Sequence, residues 1–178
     1  MLELQDFQPA HFATLAGWFG SQAEVIQWGG PMLRFPLTTA QFENMLAETA
    51  FDPPSRLAWM ICESGRAIGH AQLVLDRKRG TARLARVAVA PTDRGRGLAL
   101  PMLSLVLDQA FAIDRIATAT LRVYTFNTPA VRTYERLGFR FDEGPRTSMR
   151  VDGTYWESRG MSLLRRDWQE GGQPHPAA

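Results

Sequence analysis

Arg94-Gly95-Arg96-Gly97-Leu98-Ala99 has the residue types and spacing of a phosphate cradle. Its glycines permit turns that aim successive backbone N–H groups at one point, and Gly97 and Ala99 leave the backbone open to a close-approaching anion. A β-branched run, Leu84 to Val89, precedes the stretch and is closed by Ala90-Pro91. After it, apolar residues recur at Ala99, Met102, Leu103, Val106, Leu107 and Ala110, the period of a helix. The glycines therefore fall at a strand-to-helix turn. There the unpaired N–H groups of a first helical turn, with the positive end of the dipole behind them, favour a pyrophosphate. Between Arg77 and Arg96 seven basic residues stand against one acid, Asp93, and that local field suits a polyanionic ligand. An arginine-glycine patch for RNA would use the same residues.

A second constellation follows one helix and one strand later. Asn127-Thr128-Pro129 reads as a helix start, with a side-chain acceptor followed by proline in the first turn. Ala130, Val131, Tyr134 and Leu137 then share a helical face that Gly138 ends. Tyr134 is either a core tyrosine or a phenol placed to give a proton. Three more side chains have proton-transfer chemistry: His70 in a strand candidate, Glu24 between Trp18 and Trp28, and Glu157 after Trp156. Each has a structural alternative as a core histidine or a solvated surface acid.

The elements that must position these residues are legible in outline. Leu2 to Phe7 alternates like a strand, Pro9 opens a helical stretch through Ala16, and a Trp/Phe-rich region runs from Trp18 to Phe35. Thr38 or Thr39 caps a helix over Phe42, Met45 and Leu46. Leu57 to Glu63 and Ala67 to Leu75 flank Ser64-Gly65 as a hairpin, and Thr118 to Phe126 is the strand after the long helix. Phe139 to Val151 and Tyr155 to Leu164 flank the turn Asp152-Gly153. Pro101 predicts a local distortion early in the long helix. The order predicts an α/β (α+β) architecture: a mixed, mostly antiparallel central sheet flanked by helices, containing one strand–phosphate loop–helix–strand crossover. One domain spans residues 1–168, and residues 169–178 form a loose tail.

Composition narrows the function classes. With 178 residues, 45% hydrophobic and 21% charged, the chain can bury a core without disulfides or metal. A net charge of +2 is too small to drive tight nucleic-acid binding. Cys62 is the lone cysteine, so no internal disulfide forms and no metal site is expected. The start, with Glu3 and Asp6, lacks a signal-peptide pattern, and no apolar run is long enough for a membrane span; a cytoplasmic protein is expected. No Gly-x-Gly-x-x-Gly lies near the first strand, which argues against a dinucleotide oxidoreductase.

Arg94-x-x-Gly97-x-Ala99 resembles the coenzyme-A-binding signature of the GNAT superfamily of N-acetyltransferases. Asn127-x-x-Ala130-x-x-x-Tyr134-Glu135-x-x-Gly138-Phe139 is similar to the second half of that family's coenzyme A site. With the C-terminal hairpin, the chain looks most like the RimJ/RimL-type branch, which acetylates α-amino groups of proteins. The resemblance covers about Leu57 to Trp168. It implies acetyl-CoA as cofactor, held by Val87, Ala88, Val89, Arg94, Gly95, Arg96, Gly97, Leu98, Ala99, Asn127, Ala130 and Tyr134. The N–H groups of Arg96 to Ala99 take the pyrophosphate, the backbone of Val87 and Val89 bonds the pantetheine arm, and an N–H there polarises the thioester carbonyl.

Acetyl transfer to an amine by direct attack in a ternary complex also needs an acid for the leaving thiolate and a base for the amine. Tyr134 is the acid the resemblance implies; from reference values, phenol-to-thiolate transfer is uphill by only about 2 kcal/mol. Many family members carry a glutamate on the strand before the loop, but Arg83 to Val89 contains no acid. His70, Glu24 and Glu157 are the candidates left, and water is the fourth. The parity of Leu84 against Val87 and Val89 slips once, as at a β-bulge. Trp18, Phe19, Trp28, Phe35 and Trp59 are expected to wall the acceptor site, with Trp28, Trp59 and Glu24 contacting the amine. The acceptor is a protein or peptide N-terminus or a small amine, and the protein a monomer or homodimer. A CoA-binding sensor without catalysis and an RNA-binding module are the competing functions.

Overall fold

The computed structural model describes residues 1–171. They form two compact units. The first comprises Met1–Leu75 and Ala85–Leu98; the second comprises Asp76–Leu84 and the chain from Ala99 onward. The strands build a mixed, mostly antiparallel open sheet flanked by helices, as the element order predicts. Among the described residues no helix is long and apolar enough to cross a membrane.

In the first unit, strands β1 (Leu2–Asp6), β2 (Arg56–Glu63) and β3 (Arg66–Asp76) pair antiparallel in that order. The second half of β4 (Thr81–Val89) continues the order. Ser64 at φ +50° and Gly65 at φ +77° make the two-residue turn between β2 and β3. Helix α1 (Phe12–Ala16) follows a single turn at Pro9–His11. Helix α3 (Thr39–Ala47) is capped by the Thr38 hydroxyl, which accepts from Gln41 N–H. Between them α2 (Gln22–Gly29) occupies the aromatic-rich region where the sequence suggests no element. Phe12, Leu15, Val25, Trp28, Phe42 and Met45 from these helices pack with Phe7 and with Ala58, Met60 and Cys62 of β2. Cys62 is buried there as a core residue.

In the second unit, β4 begins parallel to β5 (Thr118–Tyr124), from Thr81↔Thr118 to Arg83↔Thr120. β8 (Thr154–Leu164) pairs antiparallel with β5. The arm expected from Phe139 to Val151 is two strands, β6 (Arg140–Phe141) and β7 (Thr147–Val151), both paired with β8. Gly144-Pro145 lies between them and explains the break, since proline has no N–H for a ladder. Helix α4 (Ala99–Ala112) buries Met102, Leu103, Val106, Leu107 and Ala110, as its period demands. Pro101 does not interrupt it. The residue sits in the first turn, where its missing N–H would have no helical acceptor. Helix α5 (Thr128–Arg136) ends at Gly138, φ +95°. Helix α6 (Arg165–Glu170) takes in Gln169 and Glu170 of the expected tail, and 172–178 lie outside the described residues.

Candidate active site

The glycine loop stands on two left-handed residues. Gly95 and Gly97 have φ +80° and +73°. A Cβ at either would meet nothing within 4 Å. Backbone conformation therefore requires the glycines, and the side they present is open. α4 begins directly afterwards at Ala99. These features fit a pyrophosphate taken by backbone N–H groups.

The arginines of the loop serve the protein instead. Arg96 donates through Nη1 to Asp93 Oδ1 at 2.5 Å and through Nη2 to Glu63 Oε2 at 2.9 Å. Arg66 donates to both oxygens of Asp93 at 2.6 and 2.8 Å, and the Thr92 hydroxyl donates at 3.0 Å. Arg94 Nε reaches back to the Val89 carbonyl at 3.4 Å. The Asp93 side chain is only 3% exposed, yet its donors, Arg66 foremost, hold the carboxyl well below the usual carboxylate range against the effect of desolvation. A buried, fully bonded carboxylate thus pins the entry to the loop. Its only sequence signal was its isolation: it is the one acid in the basic run 77–96.

Val87, Ala88 and Val89 form the half-buried end of β4. Just before them Arg86 has φ +51°, a left-handed conformation inside a strand. This is the irregularity that the slipped parity anticipates. The carbonyl of Arg86 accepts from Trp28 Nε1–H at 2.8 Å.

His70 is fully buried. Gln72 decides its tautomer. Gln72 Oε1 accepts from Arg56 Nη1 at 2.9 Å and Arg86 Nη1 at 3.1 Å, so its amide nitrogen donates to His70 Nε2 at 3.0 Å. His70 Nε2 is therefore an acceptor and the proton sits on Nδ1, which has no hydrogen-bond partner among the described residues. Desolvation first, then the charges of Arg86 and His11, push its pKa down to about 3. The imidazole stays neutral, walled by Phe7 at 4.8 Å and Trp28 at 5.7 Å between ring centres. It is badly placed to meet an amine from solvent.

The other acid–base candidates are similarly engaged. Glu24 is exposed in the first turn of α2, and its Oε2 accepts from Gly20 N–H at 2.5 Å while the Ser21 hydroxyl caps Glu24 N–H. This is a helix-start arrangement. Trp28 and Trp59 are 8% and 7% exposed, and Phe19 packs on Trp28 at 4.7 Å. The expected aromatic wall is largely core; Phe35, at 42%, is its exposed member.

In the second unit, Asn127 caps α5, its Oδ1 accepting from Ala130 N–H at 3.4 Å. Tyr134 is buried, its ring edge-on to Phe139 at 5.9 Å, and burial pushes its phenol up to about 12. Glu157 pairs with Arg146 at 3.0 Å. Together with Thr125, Thr128, Phe141 and Arg159 that pair lines an open cleft of about 310 Å³.

A family model, Acetyltransferase (GNAT) family, matches residues 23–139. The SPbeta prophage-derived uncharacterized N-acetyltransferase YokL of Bacillus subtilis strain 168 is 31% identical over 94 residues, 53% of this chain and 52% of that protein. The chain thus aligns with about half the length of this curated relative. Among solved structures, spermidine N-acetyltransferase from Vibrio cholerae in complex with CoA and spermine superposes with a TM-score of 0.79 at 18% identity, covering 94% of this chain and 98% of that one. A dodecameric structure of the same Vibrio enzyme gives 0.77 at 18% identity, over 96% and 98%. At these identities the superpositions speak for the fold.

Proposed function

The chain belongs to the acetyltransferase (GNAT) family, and from that premise we propose that it moves an acetyl group from acetyl-CoA to a primary amine by direct attack. The observation that carries the reading is the open loop of Gly95 and Gly97 immediately before α4. When bound, acetyl-CoA supplies an activated acyl thioester. N–H groups of Arg96 to Ala99 hold its pyrophosphate, while Glu63 and Asp93, the latter fixed by Arg66, hold the loop through Arg96. Val87 and Val89 offer backbone groups to the pantetheine arm, and Asn127 and Ala130 shape the start of α5.

Tyr134 keeps its proton at neutral pH and is the acid for the leaving sulfur. With its phenol near 12, transfer to a simple thiolate is uphill by about 5 kcal/mol. Sulfur held in the same dry surroundings has a raised pKa of its own, which narrows the gap. His70 is enclosed, which leaves water, or Glu24 or Glu157 through the carboxylate oxygen each has free, to take the amine proton.

The acceptor is an α-amino group of a peptide, as in the RimJ/RimL-type branch that the motifs resemble, or a small amine of the kind named for the Vibrio relative. A screen of free-thiol release with N-terminal peptides beside spermidine and simple alkylamines tests this. Turnover with any primary amine supports it. Turnover with hydroxyl acceptors alone, or tight acetyl-CoA binding with no turnover, overturns it, the second result favouring a CoA sensor.

A further inference from the structure

We propose that Trp28 and Gln72 are positioning residues that clamp the left-handed kink at Arg86 and so set the course of the Val87–Val89 backbone. Assigning that backbone a part in catalysis rests on the acetyl-transfer reading; the clamp itself stands on the geometry of the first unit.

A bulky residue at φ +51° inside a strand persists only where its surroundings over-determine it. Arg86 is tied at both ends. Its carbonyl takes the Trp28 indole N–H at 2.8 Å, and its guanidinium donates to Gln72 Oε1 at 3.1 Å. Both partners are themselves buried and held by neighbours. Trp28 is 8% exposed and wedged between the rings of Phe19 and His70. Gln72 is fully buried, and turning its amide over would set an NH₂ group against two guanidinium donors, Arg56 and Arg86. Arg56 is fixed in turn by Glu48, at 2.9 Å through Nε and 2.8 Å through Nη2. His70 completes the device as the acceptor for the other half of the Gln72 amide. The polar chain Glu48–Arg56–Gln72–Arg86, buried at Arg56 and Gln72, therefore ends on the one residue of β4 whose backbone leaves the strand.

The test uses hydrogen–deuterium exchange together with steady-state kinetics on the full chain. Trp28→Phe keeps an aromatic ring in the packing and removes the indole donor together with the pyrrole ring; Gln72→Met removes the acceptor; Gln72→Glu keeps an acceptor for both arginines, with His70 moving its proton from the unpartnered Nδ1 to Nε2 so that it donates where it now accepts. In Trp28→Phe and Gln72→Met, amides 86–89 exchange roughly tenfold faster or more. kcat falls by about tenfold or more, as for a reacting group misplaced by a fraction of an ångström. KM for acetyl-CoA rises by less than kcat falls, because Asp93 holds the phosphate loop separately and only the pantetheine contacts of Val87 and Val89 are disturbed. Gln72→Glu stays within about threefold of wild type in every measure. Unchanged exchange in the first two variants overturns the clamp. Faster exchange with unchanged kcat overturns the positioning role. A wild type that acetylates no amine, while exchange responds as described, refutes the acetyl-transfer reading and upholds the clamp.

Discussion

Acid should destabilise this protein through His70, by an amount that can be worked out. In the unfolded chain the imidazole titrates near its ordinary 6.5, whereas in the fold its pKa lies at about 3, first through desolvation and then through Arg86 and His11. Below pH 6.5 the unfolded chain binds a proton that the native protein refuses, so stability falls as pH falls, until the native imidazole also titrates near pH 3. Over that window the slope approaches about 1.4 kcal/mol per pH unit. Between pH 7 and pH 5 the loss due to this one residue is about 2 kcal/mol.

Urea unfolding at pH 7 and pH 5 of wild type and His70→Gln isolates that term. Glutamine can place an oxygen where Nε2 accepts from Gln72, so the variant keeps the hydrogen bond and lacks the titration. Its stability at pH 7 is lower, because an imidazole packed between Phe7 and Trp28 is lost. The pH-dependent loss is the quantity compared: it should be smaller in the variant by about 2 kcal/mol, with m-values unchanged. Equal losses in the two proteins would show that His70 is not buried as the neutral form. The reasoning that removes it as a base would then fail too.

Gly97→Glu should abolish the rise in Tm that CoA confers on wild type through mass action, since it forces a side chain into φ +73° and sets a carboxylate at the loop; stabilisation by CoA equal to wild type would refute the phosphate-loop assignment. Asp93→Asn should raise KM for acetyl-CoA by about tenfold or more while kcat holds within about threefold, because it loosens the loop's anchorage and leaves the reacting atoms alone. An unchanged KM would make the Asp93 network a fold support only. Tyr134→Phe should still bind CoA and lose on the order of 10² in kcat, read by thiol release with saturating amine. Full turnover would return Tyr134 to the core.

Where local chemistry fixes conformation, the fold was legible in the residues. Ser64-Gly65 and Asp152-Gly153 are two-residue turns with positive φ at both positions, and each hairpin lies where those pairs put it. Thr38 and Asn127 cap the helices they were expected to cap. Helix α2 escaped notice although Ser21 and Glu24 bracket its start, because aromatic residues on both sides mask the polar–apolar period. The split of the expected strand into β6 and β7 follows from Gly144-Pro145, a breaker that the flanking strand-like residues outweigh in a reading of the sequence.

Backbone sites and side-chain sites differ in what a sequence can convey about them. The glycine loop, the α5 cap and the slip in β4 depend on residue types within a few positions, so their spacing announces them. Whether an ionisable side chain can accept a proton depends on what surrounds it, and the charges that decide this for His70, Arg86 and His11, are remote from it in sequence. His70 has the right reference pKa, and burial drives it out of range. Asp93 is the converse case. It looks like a stray acid in a basic run, and only the convergence of Arg66, Arg96 and Thr92 upon it makes it the anchor of the loop. On the acetyl-transfer reading proposed above, the course of the β4 backbone matters more than any one acid, so mutations that shift the kink at Arg86 should cost more turnover than loss of any single carboxylate.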